Sequence, residues 1–215
     1  MAIQNLGADG ATIVAADPLF QATRTSLRPP QCLAWHSLSV ATGALTVVAA
    51  GGAIFSLRNS GTNLLAVRRC GAGFVCTTGF GAAQLFALQL IAARAFTVSD
   101  SGGTAIPVTG GTNKHRTSLA APSSIDCRVS TTGALTGGTK TADTYAMGTA
   151  AGYALTSAGL VIAPTLNNLI EHNASDFPLI LAPNEGVNVV MQTTMGATGV
   201  GTAFINIEFA EMASY

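Results

Sequence analysis

The clearest alternation of hydrophobic and polar positions lies at the C-terminal end, from Phe177 to Glu211. Phe177-Pro-Leu-Ile-Leu181 is a short apolar run. Pro183-Asn184-Glu185-Gly186 then reads as a turn, because Pro presets φ, Asn tolerates a positive φ and Gly takes one at no steric cost. From Val187 to Thr193, Val187, Val189 and Met191 alternate with Asn188 and Gln192. The loop Gly196-Ala-Thr-Gly199-Val-Gly201 is too glycine-rich to continue a strand. Ala203 to Glu211 alternates again, with Ile205, Ile207 and Phe209 against Asn206, Glu208 and Ala210. Period-2 patterning between turn residues predicts antiparallel sheet. The three strands read as a meander from which the rest of the chain builds outward.

Upstream, further strands are predicted over Gln31–Val40, Ala44–Ala49, Ala53–Arg58, Asn63–Cys70 and Phe74–Thr78. Their separators are Thr42-Gly43, Gly51-Gly52, Asn59-Ser60-Gly61 and Gly71-Ala72-Gly73. About ten residues per strand is the rhythm of a sandwich or barrel. Ala82–Phe96 fits a helical stripe (Leu85, Leu88, Ala92) and a buried strand equally, and it is read as a strand because both flanks read β. Ser99–Ser124 is loop-rich, Asp126–Ser130 is a short strand and Thr131–Thr141 is a turn region. A short helix is expected around Ala146–Leu155. Residues 1–30 are irregular, punctuated by Gly7, Gly10 and Leu27-Arg28-Pro29-Pro30, and Pro29 pushes Arg28 out of helical geometry. The expected architecture is therefore all-β: an antiparallel β-sandwich over residues 31–215 with an extended N-terminal arm over residues 1–30. That arm is expected to lie on a neighbouring subunit.

Composition sharpens this picture. The chain has 215 residues, of which 9% are charged, against a usual share of about 25%. Ten basic and ten acidic residues cancel. A surface with so few charges and no net charge favours self-association. It also gives no electrostatic footprint for nucleic acid. Hydrophobic residues make up 48%, too many for a disordered chain. The 24 glycines are spread without period, which excludes collagen.

The cysteines Cys32, Cys70, Cys76 and Cys127 match no zinc or CxxC spacing. They are expected as buried free thiols, with a Cys70–Cys76 bridge across a hairpin as the alternative. Met1-Ala-Ile-Gln-Asn-Leu-Gly7 lacks the basic and apolar regions of a secretory signal, which points to assembly in a cytoplasm. Two charge-free windows, Ser37–Leu57 and Thr144–Ile170, are long enough to span a bilayer. Gly, Ser and Thr break both, so no membrane span is expected.

Candidate chemistry is sparse. Gly133-Ala-Leu-Thr-Gly-Gly138-Thr139-Lys140-Thr141 has a residue between Gly and Lys, where a phosphate-binding loop has none. It is read as a solvated turn. Gly71-Ala-Gly73-Phe-Val-Cys76 lacks the third glycine and the following helix of a dinucleotide site. His36, His115 and His172 show no ligand spacing, and His36 beside Trp35 reads as a packed residue. Glu171, His172 and Asp176 lie close together without a recognisable nucleophile, and no GxSxG elbow exists. Asn173-Ala174-Ser175 matches a glycosylation sequon, which carries no weight without an export signal. Arg68-Arg69 and Lys114-His115-Arg116 are the cationic concentrations, read as a solvated strand edge and loop or as partners for another protein's carboxylates. No catalytic, cofactor-binding or metal-ligating residue is assigned.

Three stretches carry a family likeness. They are Phe177–Gly186 continuing through Val187–Thr193, the closing Asn206-Ile-Glu-Phe-Ala-Glu211, and the mid-chain His115-Arg116-Thr-Ser118 with Asp126–Thr141. In these the chain resembles virion structural proteins of tailed bacteriophages, in particular head decoration (cement) proteins with a jelly-roll-like β-sandwich. The resemblance covers roughly residues 30–215. It implies a non-enzymatic structural protein of the phage head, without cofactor. Its partners would be the major capsid protein and further copies of itself as a dimer or trimer, with no direct nucleic-acid or membrane contact. The alternative is a tail or head fibre module that recognises a glycan or protein on the host surface.

Overall fold

Alternating residues from Val200 to Met212 form the longest strand pairing in the molecule, against Leu64–Thr78. A computed structural model describes residues 5–6, 12–13, 35–108, 113–115, 122, 124–154, 156, 167–172 and 178–212. The chain divides into two units, Met1–Leu33 with Tyr215, and Ala34–Ser214. In the first unit, β1 (Asn5–Leu6) pairs antiparallel with β2 (Thr12–Ile13). The remainder of the expected arm lies outside the described residues.

The second unit is built of strands alone among the described residues. They are β3 (His36–Ala41), β4 (Leu45–Thr46), β5 (Ala53–Asn59), β6 (Leu64–Thr78) and β7 (Gln84–Arg94). Then follow β8 (Thr104–Ala105), β9 (Ile125–Val129), β10 (Thr141–Ala142), β11 (Gly148–Ala154) and β12 (Asn167–Glu171). The chain closes with β13 (Leu179–Leu181), β14 (Gly186–Met191) and β15 (Val200–Met212). Every pairing is antiparallel.

One sheet runs β12-β6-β15-β3, with β13 continuing β12 along β6 and β4 continuing β3 along β15. The other runs β10-β7-β14-β5-β9-β8, with β11 continuing β10 along β7. Counting each end-to-end pair as one strand, the first sheet holds strands six, three, eight and one. The second holds five, four, seven and two, extended by β9 and β8. That interleaving is a jelly roll, the double-sheet solution to closing an antiparallel fold. The fold is thus the all-β antiparallel sandwich that the patterning predicts.

The meander is not there. β13 pairs with β6, β14 with β5 and β7, and β15 with β6, β3 and β4. Each turn at this end carries the chain across from one sheet to the other. Alternation tells which residues face the core and is silent on which strand lies alongside. β14 is central in its sheet, and all six of its residues are buried, so polar Asn188 is buried with the valines.

Glycine misled the reading of β6. Gly71-Ala72-Gly73 does not separate two strands; β6 runs straight through it. Asn206 lies opposite Gly71 and Phe204 opposite Gly73 across the ladder to β15. A bulge also changes the rhythm. Glu208 pairs with Arg69 and Phe209 with Val67, which leaves Arg68 as the extra residue. Leu65 and Val67 point into the core before it, and Cys70, Ala72 and Phe74 after it, so the inward parity switches from odd to even.

The expected helix around Ala146–Leu155 is instead β11, paired along its length with β7. A Cβ on Gly148 would lie 1.8 Å from the Leu169 carbonyl oxygen. The missing side chain at Gly148 lets β12 pass close by. Gln84–Arg94 is a strand, as read. The predicted Ala44–Ala49 strand stops after Thr46, because Val47 takes a left-handed φ of 46°. In the Pro183–Gly186 turn Asn184 alone takes the positive φ, at 60°. Gly186 is needed for space, since a Cβ there would stand 2.4 Å from the Leu57 carbonyl oxygen.

Cys70 and Cys76 are not bridged; both are free, as is Cys127. The two lie on one strand six residues apart, which is about 20 Å of extended chain, far beyond the reach of a disulfide. Cys70 and Cys127 are buried as expected, while Cys76 is only half-buried. Cys32 lies outside the described residues.

The inward face of β15 supplies Ile205, Ile207 and Phe209 to the core, whereas Phe204 points out. Phe209→Ala is therefore expected to cost about 3–5 kcal/mol of stability. Phe204→Ala is expected to cost about 1 kcal/mol or less. Denaturant midpoints at unchanged m-value measure both.

Candidate functional site

Two clusters of polar chemistry lie on the outward faces of the sandwich. The first is organised by the bulge at Arg68. The Arg68 guanidinium stands 4.8 Å from the centre of the Trp35 ring. Its Nη2 and Nε donate to Glu208 Oε2 at 2.7 and 3.0 Å. Ser37 Oγ donates to Glu208 Oε1 at 3.2 Å. His115 Nε2 lies 2.6 Å from Ser37 Oγ. Backbone bonds hold the imidazole there: the His115 N–H donates to Trp35 O and the Ser37 N–H to Asn113 O. Burial of Glu208 acts to raise its pKa, but Arg68, Ser37 and His115 outweigh it and hold the carboxyl below its ordinary value.

This order, acid to hydroxyl to imidazole, differs from that of a hydrolase. There the acid orients the imidazole, and the imidazole takes the serine proton. Here Ser37 Oγ sits between Glu208 Oε1 and His115 Nε2, so the carboxylate meets the hydroxyl rather than the imidazole. The arrangement acts as a clamp that ties β3, β6, β15 and residues 113–115 together.

The second cluster is buried on the outer side of the β5–β14–β7 sheet. Asp100 Oδ1 accepts from Lys140 Nζ at 2.6 Å and from the Gly138 N–H at 2.8 Å. Asp100 Oδ2 accepts from Asn188 Nδ2 at 2.9 Å. The Asp100 side chain is fully shielded from solvent. Lys140 Nζ also lies 4.5 Å from the Phe96 ring centre, with Arg58 near the same ring. Arg58 donates to the carbonyls of Phe96 and Thr97, to Ser99 Oγ and to Asn184 Oδ1. Together these groups seal the segment from Phe96 to Asp100 onto the sheet. Burial of Asp100 pushes its pKa up; the Gly138 amide, the Lys140 ammonium and the Asn188 amide overcome that and leave it lowered.

The residues singled out in the sequence have these fates. Lys140, expected in a solvated turn, is held by buried Asp100 instead. The Arg68-Arg69 pair is engaged inside the chain, Arg68 by Glu208 and Arg69 by Glu171. Lys114 and His115 border β3, where His36 and Lys114 form a bridge, and Arg116 lies outside the described residues. His36 is buried and stacked on Phe209, as a packed residue. Glu171 pairs with Arg69, the His172 N–H donates to Arg68 O, and Asp176 lies outside the described residues. Among the described residues no group of three or more His, Cys, Asp and Glu is placed to hold a metal ion. No helix among them is long and apolar enough to cross a membrane. Sequence reasoning missed the Asp100 cluster. Its one available signal was a carboxylate and an Asn on a valine-rich strand in a chain with few charges.

Among the described residues, the charges are largely consumed within the fold. Arg68, Arg69, Arg94, Arg128 and Lys140 each face a carboxylate of the same chain, and Arg58 is held by oxygen dipoles. The outward surface instead offers Tyr145 at 84% exposure, Tyr153 at 65%, Val47 at 58% and Val98 at 55%, with Leu85, Met147 and Phe204 less open. Tyr153 and Leu85 are direct cross-strand neighbours. No protein-family model, curated protein or solved structure matches the chain.

Asp100 and Glu208 both have folded-state pKa values below their unfolded ones. Their contribution to stability is therefore complete above the ordinary carboxylate range and is lost as pH falls below it. Stability measured by denaturant from pH 7 downward is expected to fall below about pH 4. Asp100→Asn is expected to cost about 3–5 kcal/mol at pH 7, because Lys140 is left without its counter-charge. It should also flatten the acid slope.

Proposed function

We propose that the protein is a capsid decoration protein of a bacteriophage head, bridging neighbouring copies of the major capsid protein. The observation that carries this reading is the internal pairing of charge. A domain whose cations and carboxylates satisfy each other offers a partner shape and apolar area rather than electrostatic steering. The jelly-roll strand order is in keeping with it, although lectins and cupins share that architecture and function resides in sites rather than folds. The mechanism is apolar burial at roughly 25 cal/mol per Å², less the cost of association. Repetition over a symmetric shell turns weak contacts into avidity. Residues 1–30 supply the contact to neighbouring subunits in this reading, and the sandwich supplies the rigid body.

The test is co-sedimentation of the purified protein with emptied capsids of the virus that encodes it. Binding is expected, with affinity changing less than about twofold between about 0.05 and 0.5 M salt, since apolar contacts escape screening. Deleting residues 1–30 is expected to leave a folded sandwich that no longer co-sediments. Protein that stays in the supernatant with intact capsids sinks the proposal. A second reading, a fibre module for host recognition, draws on the exposed Tyr145 and Tyr153, because exposed aromatics suit sugar faces. Reproducible glycan-array hits with no capsid binding would select it.

A further inference from the structure

An antiparallel sandwich has sheet edges, and an edge is a row of peptide groups that invites another strand. This protein blunts nearly all of its edges. β8, β10 and β4 are two residues long. β12 carries a bulge between Asn168 and Ile170 and the Arg69–Glu171 ion pair. β13 is three residues long between Pro178 and Pro183. β3 is bordered by residues 113–115 through the His36–Lys114 bridge.

β11 has none of these devices. It runs seven residues, Gly-Thr-Ala-Ala-Gly-Tyr-Ala, with no charge and no proline. Its register to β7 is unbroken from Gly148 opposite Leu90 to Ala154 opposite Gln84. Among the described residues no strand pairs with it on the side away from β7. Its outward row holds Thr149, Ala151 and Tyr153, all exposed, beside exposed Leu85.

We propose that β11 is a self-association edge: two copies of the chain pair antiparallel through Gly148–Ala154, across a twofold axis at Ala151. In that register Thr149 faces Tyr153 of the second copy, Ala150 faces Gly152, and Gly148 faces Ala154. Small residues meet small ones at the five central and terminal positions, β-branched Thr149 meets aromatic Tyr153 at the other two, a pairing that sheets favour, and no like charges oppose each other. The ten basic and ten acidic residues of each copy cancel, so no net repulsion holds two copies apart. A foreign peptide adding to an edge takes its specificity from pockets for alternate side chains, and Gly, Ala and Thr provide none. A second copy matches the strand through its own sequence, as an isologous contact requires. The inference stands independently of the capsid reading.

The test is the mass of the full-length protein by light scattering over a concentration series. The wild type is expected at twice the 21.6 kDa chain mass or another even multiple. Ala151→Lys sets two ammonium groups face to face at the axis and is expected to weaken association by about tenfold or more. Ala151→Glu should do the same, and an equal mixture of the two variants should recover the wild-type mass. Near-UV circular dichroism checks the fold of each variant; should Ala151→Lys unfold, the double variant Thr149→Lys with Tyr153→Lys, which sets ammonium against ammonium at both of those facing pairs, carries the same test with its Glu counterpart and their mixture. A monomeric wild type overturns the proposal. So does an odd-numbered oligomer, which a twofold contact cannot build, or an assembly indifferent to folded Lys variants.

Discussion

The ladder between β6 and β15 sets the register of the first sheet. It extends from Val200 opposite Thr78 to Met212 opposite Leu64. Any slip by one residue would turn Ile205, Ile207 and Phe209 to solvent and bring Asn206 and Glu208 into the core. The bulge at Arg68 belongs to the same constraint. It lets β6 keep Leu65 and Val67 inward at one end and Cys70, Ala72 and Phe74 inward at the other, although these sets have opposite parity. The residue left over is an arginine, aimed outward onto Trp35 and Glu208. The break in the ladder and the polar clamp of the outer face are thus one feature.

Electrostatics in this molecule work inward. The chain has few charged residues, and the fold uses many of them as fasteners: Lys140 on Asp100, Arg68 on Glu208, Arg94 on Asp143 and Glu185. Lys140 and Arg94 hold loops or strand ends where backbone pairing stops, and Arg68 fastens the bulge inside the β6–β15 ladder. Asp100 shows the trade. Its burial is costly, and it is tolerated because an ammonium and two amide donors converge on it. Among the described residues, the exposed large side chains outside these pairs are mildly apolar ones such as Tyr145, Tyr153 and Val47.

Legibility in the sequence followed the physical range of each signal. Alternation is local, so the faces of β15 and the existence of β14 were readable, while β7 was read from its β flanks. The glycine pair in β6 was misread as a turn and the β11 segment as a helix, because a glycine serves a turn, a close approach or a plain strand position, and its place in the sequence does not tell which. Phe204 opposite Gly73 and Leu169 under Gly148 are contacts made by residues far away in the chain. The polar clusters were hidden for the same reason. Ser37, Arg68, His115 and Glu208 are spread over most of the chain, as are Asp100, Lys140 and Asn188, and no spacing rule joins them.

By itself, the sequence determined the class of the molecule: all-β, antiparallel, poor in charge, with a core face on each strand that shows a clean period of two. Those properties are sums or short-range patterns, and they survive without knowledge of any partner strand. Tertiary structure alone decided the order of strands in the two sheets. It also decided the separation of β13, β14 and β15, the distance that keeps Cys70 and Cys76 apart, and which carboxylate answers each cation. Pairing in a jelly roll joins segments more than a hundred residues apart, as His36 and Phe209 show. It is chosen by how well whole faces bury one another, a property that no single stretch of chain contains.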